Sequence, residues 1–137
     1  WLKRQKETFD CCLVDAPCSG TGTWRRNPDT RWKNYGPDLS ETLKTQADIL
    51  DRVVHTVKPG GRIVYATCSI LTEENEQQVD AFLTRHPDFE LANLKDVWPD
   101  GVTPPCDGKY MRLTPHRNGT DGFFAAVLVK KGTPEAV

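Results

Sequence analysis

The stretch Phe9 to Thr23, FDCCLVDAPCSGTGT, has a partner later in the chain at Arg62 to Ser69, RIVYATCS. Each is a short apolar, β-branched run that ends at a cysteine flanked by small or turn-forming residues, the pattern of a buried strand that hands a thiol to a loop. In an open α/β sheet, ligands bind beyond the carboxyl ends of parallel strands. The residues just after Val14 and Tyr65 therefore mark the candidate site: Asp15, Pro17, Cys18, Thr67 and Cys68. Free cysteine is also among the most buried residue types. Cys11 and Cys12, inside the apolar run, suit that ordinary role, whereas Pro17 and the string Ser19-Gly20-Thr21-Gly22 stop the strand and open the backbone around Cys18.

The strand from Phe9 to Val14 is followed by a loop from Asp15 to Tyr35, long enough to suggest a functional role. It interleaves Trp24, Arg25, Arg26, Arg31, Trp32, Lys33 and Tyr35 with the single acid Asp29. Basic and aromatic residues in alternation suit phosphate contact combined with base stacking. The ordinary alternative, tryptophans folded back onto a core, applies with equal force to Trp32.

Leu43, Ala47, Leu50, Val54 and Val57 form one apolar stripe of an amphipathic helix, capped by Asp38 or Ser40 and stopped at Lys58-Pro59-Gly60-Gly61. His55 lies off the stripe and is expected in solvent. Ile63 to Ala66 reads as the second buried strand, parallel to the first through a right-handed crossover. Thr72 with Glu73 and Glu74 reads as a helix start, and His86-Pro87 ends that helix after Val79, Phe82 and Leu83. Asp88 to Gly108, with five prolines and glycines, reads as irregular. Tyr110 to Leu113 and Phe123 to Val129 read as an antiparallel pair joined by a turn at Asn118-Gly119.

The chain has the 137 residues of one domain, with 37% hydrophobic residues and a formal net charge of -1. That balance gives no global attraction to nucleic acid, so any such contact must be local. No apolar run reaches the roughly 20 residues of a membrane span, and the opening WLKRQKETFD lacks the apolar centre of a signal peptide. A cytoplasmic protein is expected. The five cysteines show no zinc spacing and are read as reduced thiols, with no metal. Six residues separate Cys18 from Arg25, one too many for a cysteine phosphatase loop, and GxxxxGK[ST] is absent.

DAPCSGTG at Asp15 to Gly22 and ATCS at Ala66 to Ser69, with RRNPDTRW, KPGGRIVYATCSI, EEN and NGTDGFFAAVLVKK in that framework, resemble the Sun/Fmu-type RNA (cytosine-5) methyltransferases over nearly the whole chain. The resemblance implies an α/β chain, the C-terminal half of a Rossmann-like fold with parallel strands and a final antiparallel hairpin. It also implies an S-adenosylmethionine donor and an RNA substrate, ribosomal first and transfer RNA second. The cofactor-binding half, with its Gly-rich loop, would lie upstream, so residues 1 to 137 are read as one C-terminal portion of a catalytic domain, inactive by itself and with an exposed strand edge.

By the same resemblance Cys68 is the nucleophile and Cys18 assists product release; the residues alone leave that ranking open. Asp15 would hold the pyrimidine edge, and Asp15 and Pro17 would border the cofactor. Pro17, Arg25, Arg26, Arg31, Trp32 and Arg117 would contact RNA, with His116 as a further candidate. The competing reading is a non-enzymatic RNA-binding or assembly module whose cysteines are merely buried.

Overall fold

The structure, a computed structural model, describes residues 1–32 and 36–132. Lys33 and Tyr35 of the basic and aromatic loop lie outside the described residues. The elements are β1 (Phe9–Asp15), α1 (Leu39–Val53), β2 (Val57–Thr67), α2 (Glu76–Arg85), β3 (Phe89–Leu91), α3 (Leu94–Val97), β4 (Tyr110–Leu113), α4 (Pro115–Asn118) and β5 (Phe123–Lys130). They build one mixed sheet in the order β1-β2-β5-β3, with β4 also paired to β5. β1 and β2 run parallel, and β5 is antiparallel to β2, β3 and β4.

α1 and α2 cover one face of this sheet. Ile63, Tyr65, Phe124, Ala126 and Leu128 point into that layer, where they meet Leu50 and Val53 of α1 and Val79 and Phe82 of α2. Fully burying such a side chain contributes about 1.5–3 kcal/mol. The opposite face carries Leu13, Val64, Ala66, Ala125 and Val127. It lines an apolar groove of about 770 Å³ together with Leu94, Val97, Trp98 and Val102.

The strand, helix, strand unit matches the sequence reading, with local differences. β1 is not a buried strand: it sits at the sheet edge, and Leu13 is 70% exposed while Val14 is buried. α1 ends at Val53, and Val57 belongs to β2, which continues through Lys58-Pro59-Gly60-Gly61 instead of starting at Ile63. Pairing slips between Phe9 and Cys11, so the extra residues Lys58 to Gly61 bow out of the ladder. Gly60 has φ 80°, and a methyl on Gly61 would lie 2.9 Å from the Asp10 carbonyl oxygen, which is why glycines serve there.

Asp38, not Ser40, caps α1, accepting from the Glu41 N–H at 2.9 Å and the Ser40 hydroxyl at 2.8 Å. Those two bonds hold its carboxyl below the usual carboxylate range. α2 begins at Glu76, and Thr72 opens a turn ahead of it instead of capping it. His55 is half-buried, with its Nε2 3.3 Å from the Leu2 carbonyl oxygen. The segment read as irregular contains β3 and α3, and the link from β4 to β5 is a short helix ending at Gly119 (φ 66°) instead of a tight turn.

Candidate active site at the carboxyl ends of β1 and β2

Asp15 pairs with Ala66 at the end of the parallel ladder, and the Ala16 N–H bonds to the Ala66 carbonyl at 2.9 Å. Beyond that point both chains turn, and the two cysteines meet: Cys18 Sγ lies 3.1 Å from Cys68 Sγ. A local cage shapes the Cys68 turn. Thr67 Oγ1 donates to Asn75 Oδ1 at 2.6 Å and accepts from the Ser69 N–H at 3.2 Å, while Asn75 Nδ2 donates to the Ser69 carbonyl at 2.9 Å. The Cys18 turn closes against it through Gly22, whose N–H donates to the Cys68 carbonyl at 2.9 Å. Gly122, ahead of β5, donates in turn to the Gly22 carbonyl at 2.7 Å.

The thiol pair is electrostatically unequal. Cys18 is the more buried and keeps its proton; its bond to Cys68, then burial, pushes its pKa far above that of an ordinary thiol. Accepting that bond pulls Cys68 down to about 7, against burial and against the carboxylates of Asp15 and Glu74. That lowering favours the thiolate, the reactive form.

A buried polar layer supports the two turns. Glu74 is fully buried and accepts from the Ser19 N–H at 2.7 Å, the Ser19 hydroxyl at 2.7 Å, the Gln46 amide at 3.2 Å and the Ser69 hydroxyl. Gln46 also donates to the Pro17 carbonyl at 2.9 Å, and Gln78 donates to Gln46 Oε1 at 3.2 Å. Tyr65 donates its hydroxyl to the Glu74 carbonyl at 2.6 Å. Sequence reasoning missed this layer: it assigned Glu74 to helix capping and looked for apolar residues alone on the inner face of α1. The available signal was Gln46, placed in helical register with Leu43 and Leu50.

The other sequence candidates group around the same end of the sheet. Asp15 and Pro17 are exposed, and the Asp15 carboxylate forms no hydrogen bond or ion pair among the described residues. The Arg31 guanidinium sits 5.5 Å from the Trp24 ring and 5.2 Å from the Trp32 ring. Trp32 is 74% exposed, so it does not fold back onto the core. Arg25 Nη1 donates to the Gly119 carbonyl at 2.8 Å, and Arg26 pairs with Asp121 at 2.7 Å, which ties this loop to the segment bearing His116 and Arg117. Such exposed contacts are worth at most about 1 kcal/mol. His116 and Arg117 are exposed on α4. Among the described residues there is no cluster fit to hold a metal ion, and no helix is long and apolar enough to cross a membrane.

Comparison with known proteins places this geometry. The family model of 16S rRNA methyltransferase RsmB/F matches residues 1–129. Ribosomal RNA small subunit methyltransferase B of Photorhabdus laumondii is 44% identical over 131 residues, 96% of this chain and 28% of that protein. The crystal structure of PH0851 superposes with a TM-score of 0.77 at 41% identity, covering 91% of this chain and 27% of the other. NSun6 from Pyrococcus horikoshii, solved with SFG, gives a TM-score of 0.66 at 26% identity over 88% of this chain and 30% of its own. The chain thus spans under a third of the length of these relatives.

Proposed function

The chain belongs to the 16S rRNA methyltransferase RsmB/F family, and from that premise we propose that it carries the thiol chemistry of an S-adenosylmethionine-dependent enzyme methylating carbon 5 of a cytosine in ribosomal RNA. In this reading residues 1–137 are the C-terminal portion of a catalytic domain whose cofactor-binding half lies elsewhere in a longer protein. The single observation that carries the reading is the thiol pair: two cysteines from separate strand ends at 3.1 Å, one of them tuned towards thiolate.

Carbon 5 of cytosine is too poor a nucleophile to take a methyl group directly. Attack by the Cys68 thiolate forms an Sγ–C6 bond and moves the C5–C6 π pair to carbon 5, dividing one hard step into easier ones. The donor supplies an electrophilic methyl group to that carbon. Loss of the carbon 5 proton and breaking of Sγ–C6 then restore the ring and return the thiolate to Cys68. Cys18 fits the second half. Once Cys68 Sγ is bonded to carbon it is an uncharged thioether, so the interaction that held the Cys18 proton weakens, and Cys18 can release it to solvent and accept the carbon 5 proton.

Asp15, exposed at the end of β1, has no hydrogen-bond or ion-pair partner among the described residues. An exposed, unpartnered carboxylate suits both the exocyclic amino group, or protonated N3, of cytosine and the positive charge of a sulfonium donor. Asp15 and Pro17 are the residues of this chain that we assign to the cofactor border; a donor of this class is in keeping with NSun6, which was solved with SFG, an S-adenosylmethionine analogue. The ring face must be reached, which requires an unpaired or flipped-out base. The stacked Trp24, Arg31 and Trp32, with Arg25, Arg26 and Arg117, form the surface we assign to the surrounding RNA.

Covalent trapping tests this reading. The full-length enzyme, S-adenosylmethionine and ribosomal RNA carrying 5-azacytidine are expected to give a shifted band on a denaturing gel that is absent in Cys68→Ala and present in Cys18→Ala. Loss in Cys18→Ala alone would reverse the thiol roles. Absence of any adduct or methyl transfer, with RNA affinity unchanged in Cys68→Ser, would favour a non-enzymatic binding module.

The pH dependence gives a second check. The nucleophile is the deprotonated form, so the rate of adduct formation is expected to rise with pH, with a midpoint near the value of about 7 held by Cys68. In Cys18→Ala the stabilising bond is gone, and the midpoint is expected to move up towards the ordinary thiol value of about 8.5. An unshifted midpoint in that variant, measured in single-turnover assays, would remove Cys18 as the cause.

A further inference from the structure

We propose that Glu74 is a positioning residue that clamps the two thiol-bearing turns together, so that Cys18 is held against Cys68 through the whole reaction; this rests on the cysteine roles assigned above. The residues that follow the two cysteines are both serines, and both serve the same carboxylate. Glu74 Oε2 accepts from the Ser19 hydroxyl at 2.7 Å and from the Ser69 hydroxyl, and Oε1 accepts from the Ser19 N–H at 2.7 Å. The fourth donor, Gln46 on α1, adds the Pro17 carbonyl to the same network.

A fully buried carboxylate with no Lys or Arg among these partners is an expensive way to stabilise a fold. Nor does its charge help the nucleophile, because it opposes ionisation of Cys68. What a carboxylate offers here is two acceptor oxygens for four converging donors, a capacity that an amide lacks. Its use is geometric: it couples the position of Cys18 to that of Cys68, through Ser19 and Ser69, from a turn that belongs to neither strand.

The experiment compares wild type with Glu74→Gln, Glu74→Asp, Ser19→Ala and Ser69→Ala in the full-length enzyme on ribosomal RNA. Displacing a reacting group by about 1 Å costs on the order of 10²-fold. Glu74→Gln is therefore expected to lower the single-turnover rate of product release by about that factor, with the KM for RNA within about twofold of wild type. Covalent adduct should accumulate, because release needs Cys18 in place, and the pH midpoint should rise as the Cys18 bond loosens, though by less than in Cys18→Ala because the opposing Glu74 charge is gone as well. Glu74→Asp is expected to recover part of the rate.

A merely structural role would instead lower the melting temperature, with the rate restored on cooling and no adduct accumulating; that result would overturn the proposal. Should Glu74→Gln not fold, Ser19→Ala and Ser69→Ala report on the same clamp, and full rates in both would overturn it. Methyl transfer that survives Cys68→Ala would refute the underlying cysteine roles and the clamp with them. A wild-type rate in Glu74→Gln, in an enzyme that does need Cys68, would refute the clamp alone.

Discussion

Cys68→Ala is expected to lower methyl transfer by roughly four orders of magnitude or more, the loss typical when a covalent nucleophile is deleted, while leaving RNA affinity within about twofold. The reason is chemical: without a sulfur at carbon 6 there is no route to a nucleophilic carbon 5, and no neighbouring side chain substitutes. Cys18 lies 3.1 Å away, yet it is held protonated by its bond to Cys68 and by burial. Removing Cys68 relieves the first of these but not the second, so Cys18 is not expected to replace it. A rate within tenfold of wild type, in single-turnover assays with saturating RNA, would mean that Cys68 is not the nucleophile. Cys18→Ala should behave differently: methyl transfer to the ring proceeds, but turnover stalls with enzyme bound to RNA.

Gly22→Ala is expected to be the most damaging single-methyl change in the chain, costing about 3–4 kcal/mol, at the upper end of point substitutions, and abolishing turnover even where the protein still folds. Gly22 is packed between two backbones. An added Cβ would collide with the Gly122 carbonyl oxygen and lie 2.6 Å from the Cys68 carbonyl oxygen. These obstacles are main-chain atoms, so no side-chain rotation relieves them. Relief requires moving the Cys18 turn away from the Cys68 turn or breaking the bonds from Gly22 to Cys68 and from Gly122 to Gly22. Thermal unfolding of the full-length enzyme and its variant checks the first effect, and covalent trapping the second. As a control, Gly101→Ala bears on local strain alone: Gly101 has φ 78° but nothing within 4 Å of an added Cβ. Its cost should be near that of a left-handed alanine, about 1–2 kcal/mol, with trapping unaffected. A Gly22→Ala enzyme with wild-type stability and turnover would show that the two turns are not rigidly joined.

The clamp at Glu74 and the glycine contact at Gly22 act on the same pair of turns from different sides. One is a buried carboxylate reaching across to Ser19 and Ser69, the other a main-chain bond from Gly22 to Cys68. Residues sharing one network are expected to be non-additive. The apolar groove, lined in part by the exposed Leu13, belongs to the opposite face of the sheet.

By itself the sequence determined the elements that depend on local pattern. Two β-branched runs ending in cysteines, an amphipathic repeat between them, and Pro and Gly at the strand exits suffice to place Cys18 and Cys68 at one end of a parallel pair. Short-range periodicity and turn chemistry carry that information, and tertiary contacts do not override it here. The ordered motifs from DAPCSGTG to NGTDGFFAAVLVKK were equally legible as a family likeness.

Other features were decided by tertiary structure alone, because each depends on residues far apart in the chain. Apolarity is the same in an edge strand and a central one, so nothing local distinguishes β1, open at Leu13, from β5, paired to three other strands. The helix repeat from Leu43 ran on to Val57 in the sequence reading, but the chain leaves the helix after Val53 because Val57 is claimed by pairing with Phe9. Likewise, an acid after a threonine ahead of a helix reads as a cap. Only the approach of Ser19, 55 positions away, turns Glu74 inward as the meeting point of both thiol turns. The difference between the two thiols also belongs to the fold, since it arises from a 3.1 Å contact and unequal burial that no spacing in the sequence encodes.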